Sequence, residues 1–203
     1  MKENRPYVIG ISSPSGGGKT SVSKLLEEML PNCTAVYFDE FDDTTIHPED
    51  IIEWASRGGD YNEWKAPGLI AELKRIIEEN AYQYLVFDAP LGRSNIETGS
   101  FIDFMVFVET PLDVAMARRF LRDRCDQSKR DVESELSELK KELVCYLDGG
   151  RLAYFEMFRS VKPSSDFIID GCLPLDAICE SIIKKLNENK CVEATPVNRR
   201  ASC

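Results

Sequence analysis

A single histidine, His47, and seven cysteines without a Cys-x-x-Cys pair leave this 203-residue chain poor in the side chains from which metal-centred sites are built. His47 sits beside Pro48 with no partner at metal-site spacing, and reads as a turn residue rather than a ligand. The cysteines (Cys33, Cys125, Cys145, Cys172, Cys179, Cys191 and Cys203) are scattered and odd in number, which suits free thiols in a reducing compartment. Basic residues are in deficit, 25 against 35 acidic, and the net charge of −10 argues against sequence-independent binding to a nucleic-acid backbone. No apolar run approaches the roughly 20 residues that span a bilayer, so no membrane association is expected. The opening stretch Met1–Pro6 is polar and leads straight into a strand-like run, so no secretory signal is expected and a cytoplasmic location is. There is no internal repeat and no low-complexity segment.

What is present is the composition of an ordinary folded domain, 43% hydrophobic and 30% charged. The length suits one well-buried core, read here as a single domain over 1–190 with a frayed tail over 191–203. The organising stretch is Ser13-Pro14-Ser15-Gly16-Gly17-Gly18-Lys19-Thr20, which reads as a phosphate-binding P-loop. Before it, Tyr7-Val8-Ile9-Gly10-Ile11 has the β-branched content of a buried strand; after it, Val22, Leu25, Leu26 and Met29 fall at helical spacing until Pro31. Strand, glycine turn and helix follow in the order a P-loop requires. The glycines let backbone N–H groups turn inward around a phosphate, and the helix offers its unpaired N–H groups to the same anion. Ser15, Gly16, Gly17, Gly18, Lys19, Thr20 and Ser21 are the expected nucleotide contacts, Lys19 reaching the outer phosphates and the Thr20 hydroxyl a Mg²⁺ ion. One position departs from the motif: Ser13 stands where its first glycine is expected.

Further along, Thr34–Phe38, Tyr84–Asp88, Phe104–Val108 and Phe167–Ile169 read as strands, and the segments between them as helices. Asp39, just past the second strand, arrives on the P-loop edge of a parallel sheet. It is a candidate to hold or deprotonate an acceptor hydroxyl and to approach Mg²⁺, or else it is a solvated acidic turn. Asp88 ends the third strand and is a candidate Mg²⁺ partner opposite Thr20, or a capping residue. Tyr61 and Trp64 lie in an aromatic, polar segment that suits the lip of a substrate pocket, and Trp64 could equally anchor the core. The loop from Ala89 to Asn95 looks mobile by composition. Arg118, Arg119, Arg122 and Arg124, followed by Lys129 and Arg130, form a basic cluster in an acidic chain. They read as a helical lid over triphosphate oxygens, or as solvated charge on a helix face. Val132, Leu136, Leu139, Leu143 and Leu147 make an apolar stripe expected to pack.

These residues together resemble the P-loop uridine kinase-like family, which includes uridine-cytidine kinases, nicotinamide riboside kinases and phosphoribulokinases. The P-loop is the least specific part of the likeness. Arg118-Arg119-Phe120-Leu121-Arg122-Asp123 followed by Arg130-Asp131-Val132 is similar to the lid of uridine kinases, and Pro31-Asn32-Cys33 leading to Asp39-Glu40-Phe41 to the stretch that holds their catalytic aspartate. The resemblance implies an α/β P-loop fold: a five-stranded parallel sheet flanked by helices on both faces, with an arginine-bearing helical lid. It also implies ATP as donor, Mg²⁺ as cofactor, and γ-phosphate transfer to a hydroxyl of a nucleoside-like or sugar-like acceptor. Lys19, Asp39, Arg119 and Arg122 would then be catalytic, Arg130 a nucleotide contact, and Thr20, Asp39 and Asp88 the metal partners. The aspartate-histidine-proline signature of uridine kinases is absent, its place taken by Asn62–Pro67, so uridine as the acceptor does not follow. Two other readings stay open. A GTPase-like switch lacks its Asn-Lys-x-Asp stretch and has Leu91 where a switch glycine is needed. A degenerate P-loop protein that binds nucleotide without transfer has the departure at Ser13 and the missing signature in its favour. Oligomeric state is left open.

Overall fold

The computed structural model describes residues 5–125 and 132–194. Its centre is a five-stranded parallel sheet in the order β2-β3-β1-β4-β5. The strands are β1 (Tyr7–Ser12), β2 (Cys33–Tyr37), β3 (Tyr84–Asp88), β4 (Phe104–Glu109) and β5 (Phe167–Asp170). β1 pairs with β3 on one side, Ile11 opposite Asp88, and with β4 on the other, Ile11 opposite Val106. The side-chain period of two divides the core between the sheet's faces. Val8, Leu85, Phe87, Met105 and Phe107 lie on one face, packed with Leu69, Leu73 and Trp54; Ile9, Ile11, Val86, Phe104, Val106 and Val108 lie on the other, packed with Leu26, Ile178 and Ile182. Both faces of the sheet are therefore buried, as near-continuous apolar strands require.

The second face is covered by α1 (Lys19–Met29) and α8 (Leu175–Ala194). The first is covered by α2 (Ile51–Ser56) and α3 (Pro67–Glu79), together with residues of α7 (Arg151–Glu156). α2 starts at Ile51 because the Asp50 carboxylate caps it, accepting from the N–H groups of Ile52 and Glu53 at 2.9 Å. α8 runs to Ala194, and residues beyond it lie outside the described part.

Two expectations need correction. The loop after β3 is not loose: a 3₁₀ turn (Gly92–Ser94) and the short α4 (Ile96–Gly99) occupy it. Arg93 is bonded to Asp166, and the buried Asn95 side chain donates to the carbonyls of Tyr61 and Trp64 and caps Thr98. Composition suggested mobility, but side-chain bonds to distant backbone override it.

The second correction concerns the apolar stripe. Helix α5 (Leu112–Phe120) runs into a wide π-helical turn (Leu121–Cys125), and α6 (Val132–Cys145) follows after the undescribed residues. None of the stripe is buried: Val132, Leu136 and Leu147 are exposed, and Leu139 and Leu143 only half-covered. α6 stands off the sheet instead of lying on it, so its pattern has no core to enter. At its end Gly149 adopts φ 136°, and a Cβ there would come within 2.7 Å of the Ile52 side chain. A glycine at this kink allows α7 to pack against α2. Among the described residues no helix is long and apolar enough to cross a membrane.

Candidate active site

The P-loop leaves the C-terminal end of the central strand, where open parallel sheets place their ligands. Gly16 has φ 81° and Gly18 φ 106°, and a side chain at Gly16 would meet the Ala115 carbonyl at 2.1 Å. Those two positions require glycine. Ser13 does not: among the described residues the non-glycine positive-φ positions are Asn32 and Asn80. The departure from the motif therefore falls where the backbone is ordinary. The loop is tied from inside, Gly17 N–H donating to the Pro14 carbonyl at 2.7 Å. It is also tied from β4, because the buried Thr110 hydroxyl donates to the Gly17 carbonyl at 2.8 Å. Sequence reasoning missed Thr110; its place at the end of a strand on the P-loop edge was the available signal.

Four predicted residues meet at the start of α1. Lys19 Nζ lies 3.4 Å from Asp88 Oδ1 and 3.9 Å from Asp39 Oδ2. The Thr20 hydroxyl donates to Asp88 Oδ2 at 2.8 Å. Asp88 is 1% exposed, and burial pushes its carboxyl up, against the opposing pull of Lys19 and the Thr20 hydroxyl. Its Oδ1 keeps an ion pair with Lys19 but no hydrogen bond. A buried carboxylate oxygen left short of partners beside a hydroxyl is a hard-oxygen pair that fits Mg²⁺. Such an ion shares most of its coordination with phosphates and water and needs only one or two protein donors. Among the described residues no group of three or more His, Cys, Asp or Glu side chains is placed to hold a metal ion.

Residues Gly16 to Ser21 and Asp39 line a cavity of about 640 Å³ together with Arg118, Leu173, Leu175 and Ile178. Arg118 donates to the Gly171 carbonyl at 2.9 Å. Its lining thus combines the P-loop backbone with the apolar side chains of Leu173, Leu175 and Ile178.

A second cavity of about 580 Å³ lies beside the first, and Arg122 lines both. Ser15 enters its wall from the P-loop. The rest is largely aromatic and aliphatic: Trp54, Tyr61, Trp64, Tyr146 and Tyr154 with Ile51, Ile52 and Met157. Trp54 and Tyr61 are nearly fully buried, stacked edge to face at 5.1 Å, and Trp54 meets Trp64 edge to face at 6.2 Å. The alternatives of pocket lip and core anchor are thus the same place, since these rings close the core and wall the cavity. His47 packs on Trp64 with centroids 5.7 Å apart and acts as a turn residue.

The basic cluster does not act as one body. Arg119 donates to the Tyr154 hydroxyl at 2.9 Å and lies 3.8 Å from Glu142, inside the aromatic cavity. Arg122 is paired with Asp123 at 2.6 Å and stands at the junction of the cavities. Arg124 is engaged by Glu135, Glu138 and Glu142 and braces α6. Arg130 and its neighbours lie outside the described residues. Tyr154, Tyr146 and Glu142 were missed, because nothing in their spacing marks a helix that folds back over a cavity.

No family model matches the chain. Among curated proteins it is 26% identical to a uridine kinase of Streptococcus pneumoniae over 92% of this chain and 97% of that protein. It is 23% identical to one of Ligilactobacillus salivarius over 83% and 86%. Among solved structures it is similar in fold to a gluconokinase of Sinorhizobium meliloti, with a TM-score of 0.52 and 18% identity over 95% of this chain and all of that one. A shikimate kinase of Bacteroides thetaiotaomicron gives a TM-score of 0.51 and 15% identity over 89% and 98%. The chain is thus similar to curated uridine kinases over nearly its whole length, and its fold is similar to that of the gluconokinase and shikimate kinase structures.

Proposed function

We propose that the protein is an ATP-dependent small-molecule kinase that transfers the γ-phosphate to a hydroxyl of an acceptor held in the aromatic cavity. The observation that carries this reading is the shared wall: a phosphate cradle and a ring-lined cavity adjoin, with Arg122 in both. A GTPase-like switch has no use for a second cavity of that size. The named uridine kinases among its relatives favour the same reaction.

In this reading the P-loop amides and Lys19 bind the β- and γ-phosphates, and Thr20 with Asp88 would hold Mg²⁺. When bound, the metal neutralises phosphate charge and keeps the leaving oxygen in line. Asp39 orients the acceptor hydroxyl. The acceptor oxygen forms a bond to the γ-phosphorus while the bond to the β–γ bridging oxygen breaks; that oxygen keeps the electron pair and leaves on ADP. The acceptor proton passes to the Asp39 carboxylate. Arg119 and Arg122 turn to the transferring phosphoryl oxygens as a helical lid, exchanging Glu142 and Asp123 for the phosphate. Water is kept out by the aromatic wall, which limits idle hydrolysis.

The test is ADP release from Mg-ATP by the purified protein against a panel of nucleosides, ribosides and hydroxylated sugars, with a no-acceptor control. Stimulation by one class is expected. A flat panel with nucleotide binding confirmed separately overturns the reading in favour of a nucleotide binder that does not transfer.

A further inference from the structure

The P-loop motif asks for glycine at position 13 and leaves position 17 free, whereas this chain has Ser13 and Gly17. Gly16 and Gly18 have positive φ, but Gly17 is not among the positive-φ residues, so its backbone would accept a side chain. What forbids one is Ser13. A Cβ at Gly17 would fall 1.8 Å from Ser13 Oγ and 3.0 Å from Ser13 Cβ, with the Pro14 carbonyl oxygen at 2.8 Å. The Ser13 hydroxyl therefore fills the space that a side chain of residue 17 would take. Ser13 is fully buried, and its hydroxyl has no hydrogen-bond partner. A buried hydroxyl left without a partner is unfavourable, so what this one supplies to the loop is volume.

The residue it packs against is the one on which the ties of the loop converge. Gly17 N–H donates to the Pro14 carbonyl at 2.7 Å, and the Gly17 carbonyl accepts from the buried Thr110 hydroxyl at 2.8 Å. Ser13 takes the remaining side, at the α carbon. Gly17 lines the phosphate cavity beside Gly16, Gly18 and Lys19, while Ser13 lines neither cavity. The peptide groups that face a phosphate are thus aimed by contacts made from behind the loop.

We infer that Ser13 is a positioning residue of the nucleotide site: its hydroxyl, packed on Gly17 from behind, fixes the phosphate-facing turn, and residues 13 and 17 act as one unit. The inference rests on the nucleotide-binding part of the kinase reading and goes beyond it. It gives the departure from the motif a role, where a degenerate loop would show only a loss.

The test is a double-substitution cycle read by calorimetry with Mg-ADP and with AMP, alongside thermal unfolding of each variant. AMP lacks the β-phosphate that the P-loop binds in the proposed function. Gly17→Ala should weaken ADP binding by at least about tenfold, because its methyl group enters filled space. Ser13→Gly should weaken it by about two- to fivefold, through the freedom it gives the backbone. In the double variant Ser13→Gly/Gly17→Ala the methyl group enters the space the hydroxyl has left. ADP affinity should then recover by at least about fivefold over Gly17→Ala, and stop short of the wild type because the Pro14 carbonyl remains 2.8 Å away. AMP affinity should stay within about twofold in all three variants.

Losses that multiply in the double variant overturn the inference, as does wild-type ADP affinity in Gly17→Ala. Equal losses for ADP and AMP also overturn it, since they mark general damage to the fold. Should Gly17→Ala not fold, the double variant decides alone: it must fold and bind ADP within about tenfold of the wild type, and failure in either respect overturns the pairing. A wild type that binds no ADP ends the nucleotide reading itself, whereas the other failures end only this inference.

Discussion

Around the P-loop, each group facing the cavity is placed by the sheet: Lys19 and Thr20 by the turn from β1 into α1, Asp88 by the end of β3, and Thr110 by the end of β4. The aromatic cavity takes only Ser15, Pro90 and Leu91 from the strand ends. The rest of its wall comes from α2, a 3₁₀ turn at Tyr61–Glu63, and the kinked run from α5 to α7, elements of which α2 and α7 also cover one face of the sheet. The P-loop cavity is thus built from backbone and from short side chains a few ångströms apart, whereas the second cavity is built mostly from large side chains on helices. Under the proposed function, donor chemistry rests on the strand ends and the P-loop, while acceptor choice rests on rings and charges carried mostly by the helices.

If that division is correct, substitutions should sort by cavity. Lys19→Ala should have the largest effect, lowering ADP production at saturating acceptor by about 100- to 1000-fold or more, because it removes the cation between Asp39 and Asp88 as well as a phosphate ligand. Asp39→Asn should cost about 100- to 10,000-fold in transfer and leave nucleotide affinity intact. Near-normal transfer by that variant would take Asp39 out of its role. Thr110→Val strips the buried Gly17 carbonyl of its side-chain donor, a loss of ~1–3 kcal/mol, and should weaken nucleotide binding by about five- to a hundredfold without moving acceptor affinity. The reverse pattern is expected for Tyr154→Phe. Releasing Arg119 should raise the acceptor KM by about two- to tenfold, with nucleotide Kd unchanged in calorimetry.

The smallest effect concerns thiols. Burial pushes Cys179 up to about 11, and burial with the neighbouring Glu27 carboxylate pushes Cys33 to about 11. In the fold both stay protonated beyond their ordinary value of 9.0. Their contribution to stability is therefore complete below that pH and is lost as pH rises toward 11. Maleimide at neutral pH should modify the exposed Cys145 in the aromatic cavity well before buried Cys179, and a bound acceptor should protect Cys145. Equal labelling with and without acceptor would break the assignment of that cavity.

The same division explains what could be seen in the sequence. Strand ends, the glycine turn and Lys19-Thr20 are local signals with a direct three-dimensional meaning, so the sheet and the P-loop cluster were legible down to Asp39 and Asp88. Tyr61 and Trp64 were recognisable as a possible pocket lip, with core anchoring left open for Trp64 because a large ring in such a segment suits either place. Tyr154 and Glu142 were not, since α6 and α7 have ordinary helical patterns and the turn at Gly149 that brings them back is one glycine among twelve. The stripe on α6 misled for the complementary reason: periodicity announces an apolar face but not whether a core exists for it to meet.

The most direct measurement of the two-cavity account follows the phosphorus itself. The protein is incubated with Mg-ATP labelled at the γ-phosphate and a mixture of nucleosides, ribosides and hydroxylated sugars, and the products are separated by charge. The account predicts label on an organic phosphate monoester, formed in step with ADP and lost in Asp39→Asn. Label recovered entirely as inorganic phosphate, at a rate indifferent to any added alcohol, would contradict it.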